Sequence, residues 1–432
     1  MKAFLWAVPL ALASVLLLPG QEYELVLKGG HVIDPKNRID GRRDIAIAKG
    51  RIAAVAESID TKKALKIVDV SGFYVSPGFV DMHAHFWGTA GAGLHPDSHT
   101  LRSGVTTVVD AGGSGWRNFS AFQQAVMQPA AVRVLAWLNI VGRGMDGRAA
   151  EQAIADMDPK AAAQAIRVNR QSIVGIKTAH YDGPEWTAVD RAVEAGKLAG
   201  VPVMVDFGTF RPERPFEQLV TRKLRPGDIY THLYLDSVPM LDEKDRVRPY
   251  LLEARKRGVL FDTGHGQGSF LFRLAVPAIS QGFLPDTIST DLHTGSMNAG
   301  MKDMAATMSK FLSLGVPLAE VIARSTWAPA RAIRREELGH LSPGAGADIA
   351  VFRIETGRFG YVDAYKARFD GTKRLVCELT LRDGKVAWEL NGITRDSWDK
   401  LGKYKSQGDS RWDGTSEDGK NSRLRENAVR TK

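Results

Sequence analysis

Between residues 78 and 328, short apolar runs of β-forming type alternate with helix-like stretches eight times, and few architectures accommodate that repetition. The runs cover residues 79–83, 105–110, 132–141, 173–178, 201–207, 229–234, 260–264 and 287–291. Continuous rather than alternating apolar character suits parallel strands whose two faces are both covered. Helical stretches such as 185–198, stopped before Gly200, supply the cover. Eight strand and helix units close a barrel. An open, doubly wound sheet is the rival, but no G-x-G-x-x-G follows the first run. The expectation is an α/β fold, a (β/α)8 TIM barrel over residues 78–330.

The flanks have another texture. Residues 22–80 read as short strands joined by tight turns at Gly29-Gly30 and Lys49-Gly50, and similar strands return at 348–354, 375–381 and 385–390. Asp383-Gly384 between the last two is a strong hairpin signal. The simplest arrangement is a small β-sandwich domain built from both chain ends, residues 21–77 and 331–395. Ahead of it, Lys2 and an apolar run over 3–18 followed by Pro19 and Gly20 read as a signal peptide at 1–20. The chain is then expected to be exported, periplasmic or secreted, with no stable membrane insertion once the signal is removed. Residues 396–432 are rich in Ser, Gly and charge, and are expected to form a flexible tail.

Composition narrows the chemistry. The net charge of +9 is spread along the chain, so nothing in it calls for nucleic acid. Cys377 is the one cysteine, which excludes an intramolecular disulfide and a cysteine-rich metal site. A metal here must use histidine, carboxylate or something less usual.

Reacting groups of a barrel collect at the C-terminal strand ends, where loops open a pocket over a packed core. Polar residues fall there repeatedly: His83 ending run one and His85 just after it, Lys177 in run four, His232 in run six, His265 after run seven and Asp291 ending run eight. In an extended strand, positions i and i+2 face the same side, so His83 and His85 can reach one ion. A buried lysine must pair with a carboxylate or lose its charge. Lys177 can therefore form an ion pair with Asp291 or Asp110. Alternatively its neutral amine can combine with carbon dioxide, giving a carbamate whose two oxygens bridge two divalent ions.

The stretch Tyr74-Val75-Ser76-Pro77-Gly78-Phe79-Val80-Asp81-Met82-His83-Ala84-His85 resembles the entry motif of the amidohydrolase superfamily. Leu341-Ser342-Pro343-Gly344-Ala345-Gly346-Ala347-Asp348-Ile349 resembles that family's return into its small β domain, and the resemblance covers residues 22–395. It implies one or two divalent metal ions, with zinc the first choice, and a carboxylated Lys177 between them. His83, His85, Lys177, Asp206, His232 and Asp291 would be the metal ligands, and Asp291 the catalytic proton carrier. Asp206 departs from the family pattern, standing where a histidine is expected. His265 is the substitute should Asp206 not ligate, and faces substrate otherwise.

Asp262-Thr263-Gly264-His265-Gly266 and Ser289-Thr290-Asp291-Leu292-His293 look like blocks of a deacetylase-like branch related to dihydroorotase and hydantoinase. Arg143, Tyr181 and His293 join His265 as substrate-binding candidates, Arg143 because a guanidinium grips a carboxylate bidentately. The implied activity is metal-assisted hydrolysis of a small acyl substrate, an N-acyl amino acid or O-acyl hydroxy acid. Opening of a cyclic amide, dipeptide cleavage and a non-catalytic interaction role are the alternatives. A mononuclear deaminase would have no use for Lys177. Self-association as a homo-oligomer stays open.

Overall fold

The computed structural model describes residues 21–401, so the expected signal peptide and nearly all of the tail lie outside the described residues. Five strands come first: β1 (Tyr23–Asp34), β2 (Ile39–Ala48), β3 (Arg51–Ala56), β4 (Ala64–Asp69) and β5 (Tyr74–Pro77). Seven follow: β6 (Phe79–Ala84), β7 (Val105–Gly115), β8 (Arg133–Asn139), β9 (Ile173–Ala179), β10 (Val203–Asp206), β11 (Ile229–Tyr230) and β12 (Leu260–Phe261). The last three are β13 (Ile349–Val362), β14 (Arg368–Arg382) and β15 (Lys385–Glu389).

Strands β6 to β12 form one curled parallel sheet in sequential order. Local chemistry explains the crossovers. The helix Pro159–Val168 starts where the Asp158 carboxylate accepts from the Lys160 and Ala161 amides, with proline in its first turn. The helix Thr187–Ala199 ends where Gly200 turns left-handed at φ 70°.

The sheet has seven strands, one fewer than the eight expected. The eighth run makes no ladder; it touches both sheet edges through isolated parallel bridges, Asp262 with Thr287 and Ala84 with Leu292. Asp291, which ends the run, stands in left-handed backbone at φ 49°. The Asp291 amide nevertheless donates to the His83 carbonyl at 2.7 Å. The architecture is TIM-barrel-like, with Val80, Met82, Val109, Leu135, Trp137 and Val174 in a core of their own. A larger core that includes Phe79, Val108, Leu138 and Ile176 takes in helical residues such as Ile166 and Val189.

The chain ends do build a shared sheet. Its order is β15-β14-β13-β5-β1-β2-β3, with β4 on β1. The expected sandwich is instead one connected eight-stranded sheet that forks: beyond the bulge between Leu27 and Gly30, β1 exchanges β4 for β5 as its parallel neighbour. Among the described residues, those through Ile393 form one compact unit. The helix Met304–Ser313 helps join the two sheets, Ser309 Oγ accepting from the Leu375 amide of β14 at 2.9 Å. A second unit begins at Thr394, and its described part holds one 3-10 turn, Trp398–Leu401. Among the described residues no helix is long and apolar enough to cross a membrane.

Candidate metal centre

Parallel strands deliver their C-terminal residues to one rim, and there the separated polar residues meet. His83, His85 and Asp291 form one buried group with ligand atoms within 4.8 Å of one another; His83, Asp206 and His232 form a second. His85 Nε2 lies 3.0 Å from Asp291 Oδ1, and His232 Nε2 lies 3.1 Å from Asp206 Oδ1. Lys177 Nζ stands where the groups join, 3.0 Å from Asp206 Oδ2 and 3.2 Å from His83 Nε2, with no solvent exposure. Its ion-pair partner is thus Asp206, neither Asp291 nor Asp110.

Hydrogen bonds behind the histidines select which ring nitrogen is free. The Thr231 hydroxyl donates to Asp262 Oδ2 at 2.9 Å, so its oxygen accepts from His83 Nδ1 at 2.8 Å and leaves Nε2 bare. Gly264 O can only accept, so His232 Nδ1 donates to it at 2.7 Å and Nε2 again faces the rim. Burial, together with the nearby Lys177 charge, lowers His83 to about 4. Burial alone would raise Asp291, but His83, His85 and His232 hold it below the ordinary carboxylate range. Asp206 is likewise held low against its burial by His232, Lys177 and His180.

An imidazole nitrogen and a carboxylate oxygen turned toward each other suit a cation held by both. Asp206 Oδ1 and His85 Nδ1 are both buried without a hydrogen-bond partner, a cost that coordination at this rim would relieve for the carboxylate. The donor set fits divalent ions. His232 and Asp291 also adopt left-handed backbone at φ 67° and 49°, strain of the kind that collects at working sites.

The remaining candidates divide. His293 Nε2 is 4.0 Å from Asp291 Oδ2, and its ring lies 6.3 Å from that of His85. Arg143 is exposed and pairs with Asp146; both line a cavity of about 760 Å³ with Phe86, Trp87 and His95. Tyr181 is buried and its hydroxyl bonds to Glu185. His265 joins neither metal group: its Nε2 is 2.5 Å from Lys310 Nζ and its Nδ1 is 2.9 Å from Gly266 O. With Asp206 in place no substitute is required, and with both nitrogens engaged His265 has none to offer substrate.

Sequence reasoning passed over Asp262 and Lys310. Asp262 follows directly on β12 at the rim, so the strand-end rule could have found it. Lys310 shares a helix face with Thr307 and Phe311, and that spacing marked it as buried.

A curled parallel sheet with two histidine-carboxylate groups sharing His83 at one rim is the arrangement of a metal-dependent hydrolytic enzyme. The amidohydrolase family pattern matches residues 273–387. A deacetylase from Brucella anthropi is 35% identical over 325 residues, which are 73% of this chain and 80% of that protein. Among solved structures, an adenine deaminase superposes with a TM-score of 0.79 at 27% identity, over 85% of this chain and 100% of that one. A dihydroorotase gives a TM-score of 0.74 at 30% identity, over 84% and 98%. The chain belongs to the amidohydrolase superfamily.

Proposed function

We propose that the protein is a deacetylase-like hydrolase of N-acyl amino acids or O-acyl hydroxy acids, working outside the cytoplasm. The observation that carries the reading is Lys177, a buried amine set between two histidine-carboxylate groups. His83, His85 and Asp291 would hold one divalent ion, Asp206 and His232 the other, and Lys177 as its carbamate would bridge them. When bound, such ions, zinc foremost, acidify a water and polarise an acyl carbonyl.

The protein's own groups do the rest. Asp291, ionised and 3.0 Å from His85 Nε2, takes the attacking water's proton and returns it to the leaving nitrogen or oxygen. His293, beside Asp291, hydrogen-bonds the substrate. Arg143, on the loop after β8, exchanges Asp146 for the substrate's carboxylate. The similarity to a deacetylase over 80% of its length supports acyl removal. Likeness to a dihydroorotase supports opening of a cyclic amide as the second reading.

The test is a zinc-loaded protein assayed against N-acetyl amino acids, O-acetyl hydroxy acids, dipeptides and dihydroorotate. Release of acetate from either of the first two classes is expected; turnover of dihydroorotate alone would replace the reading. Asp291→Asn should leave the circular dichroism spectrum unchanged and abolish turnover, and full activity in that variant would remove the proton-carrying role.

A further inference from the structure

Lys310 is a buried amine in the helix Met304–Ser313, and among the described residues no carboxylate comes within ion-pair distance of it. Its Nζ donates to the Val362 carbonyl at the end of β13 at 2.7 Å and to His265 Nε2 at 2.5 Å, lying over the Phe270 ring at 5.2 Å. Because Gly266 O can only accept, His265 Nδ1 carries the ring proton and Nε2 is left to take Lys310's. The imidazole is stacked on Phe270 with centroids 4.6 Å apart. Burial pushes the Lys310 amine down to about 7.

What His265 is attached to gives this pair its meaning. Gly264 and Gly266 flank it in left-handed backbone, φ 46° and 56°. A Cβ on Gly264 would stand 2.7 Å from His232 Nδ1, and one on Gly266 would stand 2.3 Å from Asp291 Oδ2. Gly264 O orients His232, while the Gly266 amide donates at 2.8 Å to the carbonyl of Thr290, the residue before Asp291. The tripeptide is wedged between one member of each metal group, and the imidazole is its only side chain.

We propose that Lys310, acting through His265, is a positioning residue that sets segment 264–266 and so aims His232 and Asp291 at their ions. The inference rests on the metal-binding reading above. Backbone bonds to Ser289 and Thr290 hold the segment on one side; with two glycines in it, its one side-chain anchor is the His265 ring, which Lys310 and the Phe270 stack hold. Val362 extends the same brace to the sheet built from the chain ends.

The test is zinc affinity of the full chain, measured by competition with a chromophoric chelator, beside melting temperature. Wild type must bind zinc; if it does not, the metal-binding reading itself falls, and this inference with it. Lys310→Met keeps the buried stem and removes the donor, and should weaken zinc binding about 10- to 100-fold while the protein melts within a few degrees of wild type. His265→Phe keeps the stack on Phe270 without the acceptor, should match that loss, and serves where Lys310→Met fails to fold. The double variant should bind no more weakly than the weaker single one. Wild-type zinc affinity in both single variants, or losses that multiply in the double variant, would overturn the inference while leaving the metal-binding reading standing.

Discussion

At the residue scale the site depends on which atoms face the rim. Thr231 and Gly264 O fix the tautomers of His83 and His232, and the carboxylates stay ionised against their burial because imidazoles surround them. Lys177→Met, retaining the stem but offering nothing to bridge, should cut zinc stoichiometry from two to at most one and hydrolysis by at least about 100-fold. Metal analysis after gel filtration checks the first, initial rates the second. Cys377, buried beside Thr380 with its thiol pushed up to about 12 by burial, should ignore Ellman's reagent at pH 8 until the protein is unfolded. The metal-binding candidates were legible because strand ends are where a barrel gathers polar groups. Strand-end position says nothing of a local partner: Glu185, four residues on, captures the Tyr181 hydroxyl, and Lys310 from a distant helix captures the His265 ring.

At the element scale the apolar runs located all seven strands of the parallel sheet, run two stopping short of the end of β7 and runs six and seven overshooting theirs. Runs six and seven shorten to two-residue strands because His232 and Gly264 leave extended backbone. Run eight survives only as bridges, and Asp291 at its end turns left-handed where it meets the rim. Apolar content reports burial, not hydrogen-bond pairing, so it cannot show where a strand breaks to present a ligand. Within the sheet, Trp137 of β8 is wholly buried and its Nε1 donates to the Met82 carbonyl of β6 at 2.8 Å, spanning the curl. Trp137→Phe should strand that carbonyl and leave a gap, costing about 1–3 kcal/mol in urea unfolding. An unchanged midpoint would show the bond to be dispensable.

Over the whole molecule, the hairpin textures at both chain ends foretold a shared sheet but not its fork at β1, because pairing partners depend on a bulge that local pattern does not reveal. Nor could pattern show that this sheet and the parallel one make a single unit through Ile393, which arises from tertiary contacts such as Ser309 with β14. A ligand that binds only the folded chain stabilises all of it, by about 2.7 kcal/mol at a hundredfold excess over its Kd. Stripping metal with dipicolinate should therefore lower the melting temperature by several degrees, and zinc should restore it. The central claim is that side chains far apart in sequence converge to grip cations, and anomalous diffraction at the zinc edge, from crystals grown with zinc and bicarbonate, tests it directly. Two peaks are predicted, one against His83, His85 and Asp291 and one against Asp206 and His232, with density extending beyond Lys177 Nζ. A rim without peaks, and Lys177 still paired as a bare amine with Asp206, would contradict the account.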